Sequence, residues 1–407
     1  MPQYPASDLT IVRDLAKRAY DLALSEEMET RRKRWREVNS LRRPDRAPVW
    51  WQAHAAWETM IPSESLQCTD ETCRGLERQF LQDFYQWDCG IDHVWPAWHA
   101  VGAAWHSESD HALGLPFGSQ VQSTGVGGFR YEHPLKALED YDRLTPTRWE
   151  FDPEGSQRSV EQRQELLGGA MPVSLNIAPP FGWTLGYYLE NLRGMAQMLD
   201  DLAFHPERVH RAMAKITEAA LAALRAAEAT GLLSPNNTGS MFCSDAIGEV
   251  YPDGKLRLHN LWGAANSQEF QEVSPRMQEE FLLNYQIPLF SQFGWTQYGC
   301  CEDLSHKIDA VLRIPNLRVF VSSYWTDLDK VLEATQGRYC LMWRQSAAKV
   351  VFPDDLEPIQ KHLETGMRKL QGHPYQVVCR ELETLAGHPE RLREWAKLAV
   401  EVAEKWA

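Results

Sequence analysis

The feature that most constrains this chain is an ordering. Short β-prone segments that end in polar or aromatic residues alternate with longer stretches of helical period. The β-prone segments fall at 48–51, 93–96, 171–175, 238–243, 295–298, 319–322, 339–343 and 376–378, which makes eight. Helix signals stand between them. Thr69 caps a stretch at 69–86, Ser274-Pro275 opens 276–285, and Asp327 opens 327–334. Each strand–helix–strand step crosses right-handed, so eight in series predict a single α/β domain over 1–407, a closed (β/α)8 barrel. A doubly wound open sheet shares the alternation. Its glycine fingerprint is missing after the first strand, where WQAHAAW stands.

The first 45 residues read as an N-terminal helical extension, with Ile11, Leu15, Ala19, Leu22 and Ala23 on a helical period. The stretches 100–168 and 244–273 exceed the repeat and read as loop insertions over the barrel mouth. The first is rich in glycine, at 114, 118, 125, 127 and 128, and the second contains YPDG and a short apolar run at 256–261.

At 407 residues and 43% hydrophobic content the chain is of the globular class. A formal charge of −14 disfavours nucleic acid or an anionic membrane as partner. The one basic run, 31–46, is interleaved with Glu37 and Asp45 and reads as a solvated helix face. No apolar stretch reaches membrane-spanning length and the N-terminus lacks a signal-peptide layout, so the expected compartment is the cytoplasm. The eight cysteines lack CxxC spacing and are expected reduced. The adjacent pair Cys300-Cys301 follows a strand and is expected to open a helix, whose amide dipoles lower thiol pKa, so a metal-thiolate or low-pKa nucleophile has to be weighed against small-residue packing.

The segment NSLRRPDRAPVWWQ, 39–52, resembles the entry to the first strand in the uroporphyrinogen decarboxylase superfamily, and the stretches 262–290 and 298–331 resemble its decarboxylase-like members. The resemblance implies the barrel. It also implies two possible chemistries. The decarboxylases follow the P-V-W phrase with an arginine loop and place an acid after the second strand. Here WWQAHAAW carries His54 and no arginine, and DHVWPAW puts Trp95 and Pro96 at the acidic position, so porphyrinogen decarboxylation is not expected. The other branch comprises zinc-dependent methyltransferases that move a methyl group between a corrinoid protein and a thiol, using an H-x-C phrase and a closing-strand cysteine. YGCCE and Cys379 stand at those places, with Tyr298 and Gly299 where histidine would be. Zinc accepts carboxylate as well as thiolate, so the resemblance implies a metal set drawn from Cys300, Cys301, Glu302 and Cys379. No D-x-H-x-x-G phrase is present, so a corrinoid would have to arrive on a partner protein.

Acid–base and carboxylate-binding candidates are Glu302, Glu381 and Arg344, each of which could equally serve an ordinary salt bridge. Substrate-lining candidates at the strand exits are Trp51, His54, Trp95, Asn176, Cys243, Asp245, Tyr298 and Trp325, against core packing for the tryptophans and capping for Asn176 and Asp245. The leading expectation is a methyltransferase or demethylase of a small substrate. The runner-up is a metal-independent decarboxylase or lyase of a non-porphyrin acid, and a non-catalytic ligand-binding barrel is the third reading.

Overall fold

Six strands of the computed structural model, which describes residues 4–407 except 110, 117, 122–128 and 250, run parallel in one curled sheet. They are β1 (Val49–Ala53), β8 (Trp262–Ala265), β9 (Trp295–Tyr298), β10 (Leu317–Ser322), β11 (Cys340–Gln345) and β12 (Tyr375–Leu382), in the order β1-β12-β11-β10-β9-β8. A second parallel pair joins β2 (His99–Gly102) to β7 (Val173–Asn176). Two antiparallel pairs, β3 (Ala104–Ser107) with β6 (Trp149–Asp152) and β4 (Gly118–Val121) with β5 (Phe129–Glu132), lie in the stretch expected to be a loop insertion. Of the glycines singled out there, Gly125, Gly127 and Gly128 lie outside the described residues.

The chain therefore has one six-stranded parallel sheet and a separate parallel pair, and no backbone ladder joins the two among the described residues. Individual hydrogen bonds cross the two gaps. Asp92 N–H donates to Val49 O at 2.8 Å on one side. On the other, Ser234 N–H donates to Ile177 O at 3.0 Å, and Asn236 Nδ2 and Oδ1 bind Trp262 O and N.

Two strand expectations fail. The segment 93–96 is not a strand, because Pro96 cannot donate to a ladder and the Trp95 indole turns away to Ala19 O. The segment 238–243 is coil, and the fourth parallel strand is instead Trp262–Ala265, inside the expected insertion 244–273. Three of the four residues of its Trp-Gly-Ala-Ala sequence are poor strand formers, so its neighbours decide that it is a strand. The cap at 69–70 is also displaced by one residue: Asp70, not Thr69, accepts the N–H groups of Thr72 and Cys73.

The N-terminal extension folds as α1 (Ala6–Ala23) and α2 (Glu26–Asn39). The basic run is not a solvated face. Arg31 and Arg46 are buried, and Arg34 and Arg46 both reach Asp92, which is 0% exposed. Asp92 also accepts Val49 N–H at 2.8 Å, and its carbonyl takes the Trp35 indole N–H at 2.6 Å. One carboxylate thus ties α2 to the start of β1. No helix among the described residues is long and apolar enough to cross a membrane.

Removing the Asp92 carboxylate leaves two arginines short of their buried partner, and breaking such pairs costs about 3 kcal/mol. Urea denaturation of Asp92→Ala is expected to show a loss of that size. A loss under about 1 kcal/mol would put this network with ordinary surface ion pairs.

Candidate active site

All strands of the six-stranded sheet point the same way, so the residues at their carboxyl ends gather along one edge. After β9 the chain turns at Gly299, whose φ of 109° an L side chain rarely adopts and whose missing Cβ would sit 3.0 Å from Val321. Cys300 and Cys301 come next, both half-buried, with their sulfurs 3.5 Å apart. From β12 comes Glu381. One of its carboxylate oxygens and the two sulfurs all lie within 4.8 Å of one another, the only group of its kind among the described residues.

The backbone explains how Glu381 gets there. The β1–β12 register slips between Trp51↔Cys379 and Ala53↔Leu382, and Glu381 itself sits at φ 59°, in the left-handed region. A bulge of this kind re-aims side chains at a strand end, and a non-glycine residue held there costs about 1 kcal/mol or more. Arg380 and Glu381 are consequently both half-buried neighbours of the thiols. From β11, the buried Arg344 pairs with Glu381 and places Nη1 3.9 Å from Cys300 Sγ. Arg380 makes no ion pair among the described residues, and its Nε is buried without a partner.

The two thiols divide one proton between them. The hydrogen bond with Cys301, with help from the Arg344 guanidinium, holds Cys300 down to about 7 against its burial, the arrangement expected when Cys301 keeps its proton. The same contact, with burial, pushes Cys301 up.

Glu302 does not join them. It is 1% exposed, with Oε1 taking Ser267 N–H at 2.7 Å and Ser267 Oγ at 3.1 Å, and Oε2 taking Cys300 N–H at 2.9 Å. Its oxygens are spent on backbone and hydroxyl donors, so Glu381 stands in the place expected of Glu302. Cys379 is fully buried and burial pushes its thiol up, leaving it a core residue of β12.

The expected substrate-lining residues scatter. Trp51 is sealed in the core against Trp57 and Tyr85, and Trp95 is buried against Trp87. Tyr298 is fully buried, donating to Gln286 Oε1 at 3.1 Å. Cys243 is buried, its carbonyl taking Asn39 Nδ2 at 2.9 Å, and Asp245 pairs with Arg42 at 2.8 Å, so both anchor the C-terminal end of α2. His54 lies beyond β1, 2.9 Å from Glu383. Trp325 is 67% exposed, on the surface. Asn176 does line a cavity of about 370 Å³, shared with Trp98, Trp183 and Asn236.

Two residues at this edge escape sequence reading. Arg380 gives no signal beyond standing next to Glu381. Glu269, on the single turn Gln268–Phe270 after β8, lies in the stretch expected to be an insertion; burial, with Glu302, Glu190 and Cys300 near it, pushes its carboxyl up to about 7.

No family model and no curated protein matches this chain. Among solved structures, the chain is similar in fold to a methyltransferase from Methanosarcina mazei, with a TM-score of 0.52 over 92% of this chain and 98% of that one, at 13% sequence identity.

With the Cys300 thiol held down to about 7, its alkylation by iodoacetamide in metal-free protein is expected to rise with pH through a midpoint there. Cys301→Ala removes the donated S–H and should move that midpoint upward. A midpoint that stays put would show that Cys301 is not the donor.

Proposed function

We propose that this chain is a methyltransferase of the uroporphyrinogen decarboxylase superfamily, a closed (β/α)8 barrel that holds a zinc ion through Cys300, Cys301 and Glu381. The observation that carries the reading is the meeting of two sulfurs and one carboxylate oxygen within 4.8 Å at the carboxyl edge of the sheet. Two thiolates on one tetrahedral zinc, each bound at ~2.3 Å, stand roughly 3.8 Å apart, and these sulfurs are 3.5 Å apart. The donor set fits. The neighbour's name and the expected cysteine phrase after the fifth strand support the same chemistry.

A bound zinc would lower the pKa of a thiol substrate and polarise its sulfur. The chain's own groups do the remaining work. Arg344 aims the Glu381 carboxylate at the sulfurs and offsets the negative charge of Cys300. Arg380, free of any ion pair among the described residues, supplies a guanidinium for an anionic group on the substrate. A methyl group carried on a corrinoid would come with a partner protein docked over this edge.

One observation favours a second, metal-free reading. Arg344 already pairs with Glu381 and lies near the Cys300 sulfur, so the thiolate has a counter-charge without zinc. In that reading Arg380 grips the carboxylate of a small acid undergoing decarboxylation or lyase chemistry.

Metal analysis of protein purified without chelator separates the two. About one zinc per chain is expected, lost in Cys301→Ala and Glu381→Gln and kept in Cys379→Ser. Wild type should then demethylate free methylcobalamin in the presence of 2-mercaptoethanol. Zinc that persists in Cys301→Ala, or a protein with no metal at all, sinks the zinc reading.

A further inference from the structure

Glu269 has the surroundings of a working acid, and its position is built rather than incidental. Its turn is pinned at both ends. On one side Ser267 N–H and Oγ bind the Glu302 carboxylate, whose other oxygen takes Cys300 N–H, so the β8 loop and the thiol turn are bracketed by a single side chain. On the other side the buried Lys307 donates to Phe270 O at 2.6 Å and to Gln271 O at 2.8 Å. Across the turn stands the helix Leu185–Arg193, where the absence of a side chain at Gly186 makes room: a Cβ there would sit 2.8 Å from Glu269 Oε2. That oxygen is buried and has no hydrogen-bond partner, while the residue as a whole keeps partial exposure.

A buried carboxylate oxygen without a donor is costly; a bond from the residue's own N–H offsets part of that cost, and no cation among the described residues is one of the main groups acting on it. The charged groups that act on it are Glu302 from the β9 turn, Glu190 from the Leu185–Arg193 helix and Cys300, all of them acidic, and the buried Tyr298 lies within the same field. Such surroundings favour the neutral acid and bring the group into the range where it can both take and return a proton at physiological pH.

We infer that Glu269 is the proton-transfer residue of this site, exchanging a proton with the thiol substrate whose binding the zinc reading supposes, a role that rests on that reading. The step is balanced without any redox change. The S–H bond of the incoming thiol breaks, its electron pair stays on sulfur, and the proton passes to the Glu269 carboxylate; when the sulfur leaves unmethylated, the acid returns the proton to it. After methyl transfer the proton goes to solvent.

The first test does not need turnover. Infrared difference spectra of wild type between acidic and alkaline buffer should contain a protonated-carboxyl band that titrates near pH 7 and is missing in Glu269→Gln. If the band persists in that variant, or if no carboxyl titrates there, the assignment is wrong whatever metal is bound. Zinc content, measured on the same samples, is expected to be unchanged in Glu269→Gln, and its absence from wild type would overturn the methyl-transfer reading while leaving the titration result standing.

The second test uses free methylcobalamin and 2-mercaptoethanol. Glu269→Gln should slow methyl transfer on the order of 10²-fold near neutrality and flatten the pH limb, and Glu269→Asp should restore the limb. Equal slowing at every pH, with the wild-type limb intact, would show a merely structural residue.

Discussion

The buried carboxylate of Glu302 holds this site together. A carboxylate removed from water has to recover its hydration from fixed donors, and here Ser267 N–H, Ser267 Oγ and Cys300 N–H supply them. The same residue's carbonyl accepts Ser323 Oγ at 2.7 Å, so the turns after β8, β9 and β10 share one anchor. Gln278, itself fully buried, donates to Ser267 Oγ at 2.7 Å and extends the network beneath the site. The two thiols are therefore displayed by a turn whose backbone is already satisfied, which leaves their own sulfurs uncommitted to the fold.

The opposite wall is made by strain rather than by saturation. Glu381 occupies a left-handed conformation inside a register slip of β12, and this is what lets consecutive residues, Arg380 and Glu381, both stand near the sulfurs. Regular alternation would have turned one of them away. Arg344, one strand over, stabilises the result by pairing with Glu381. Positive and negative groups meet here in nearly equal number, Arg344 and Arg380 against Glu381 and the Cys300 sulfur.

Much of the sheet is legible in the sequence because parallel strands buried on both faces are apolar runs bounded by turn signals: the segment 295–298 matches β9 to the residue, and β10, β11 and β12 lie within a few residues of their expected bounds. The misses share a cause. Trp262–Ala265 is a strand only because β9 lies beside it, and 93–96 is not one because Asp92 and Trp95 have other partners. Among site residues, Cys300, Cys301, Arg344 and Glu381 stand out from their strand-end positions, but the part expected of Glu302 passes to Glu381. Aromatic residues near strand ends mislead, since Trp51, Trp95 and Tyr298 fill the interior and Trp325 faces solvent.

The sequence by itself determined an α/β chain of alternating elements and the place of the Cys300-Cys301 pair at the exit of one strand, because periodicity and turn chemistry are local properties. Only the tertiary structure decided which acid stands beside those thiols, which arginine remains free, and that Glu269 belongs to the same neighbourhood. Those outcomes depend on a one-residue slip in β12 and on who satisfies a buried carboxylate, and neither is encoded within the reach of a single segment.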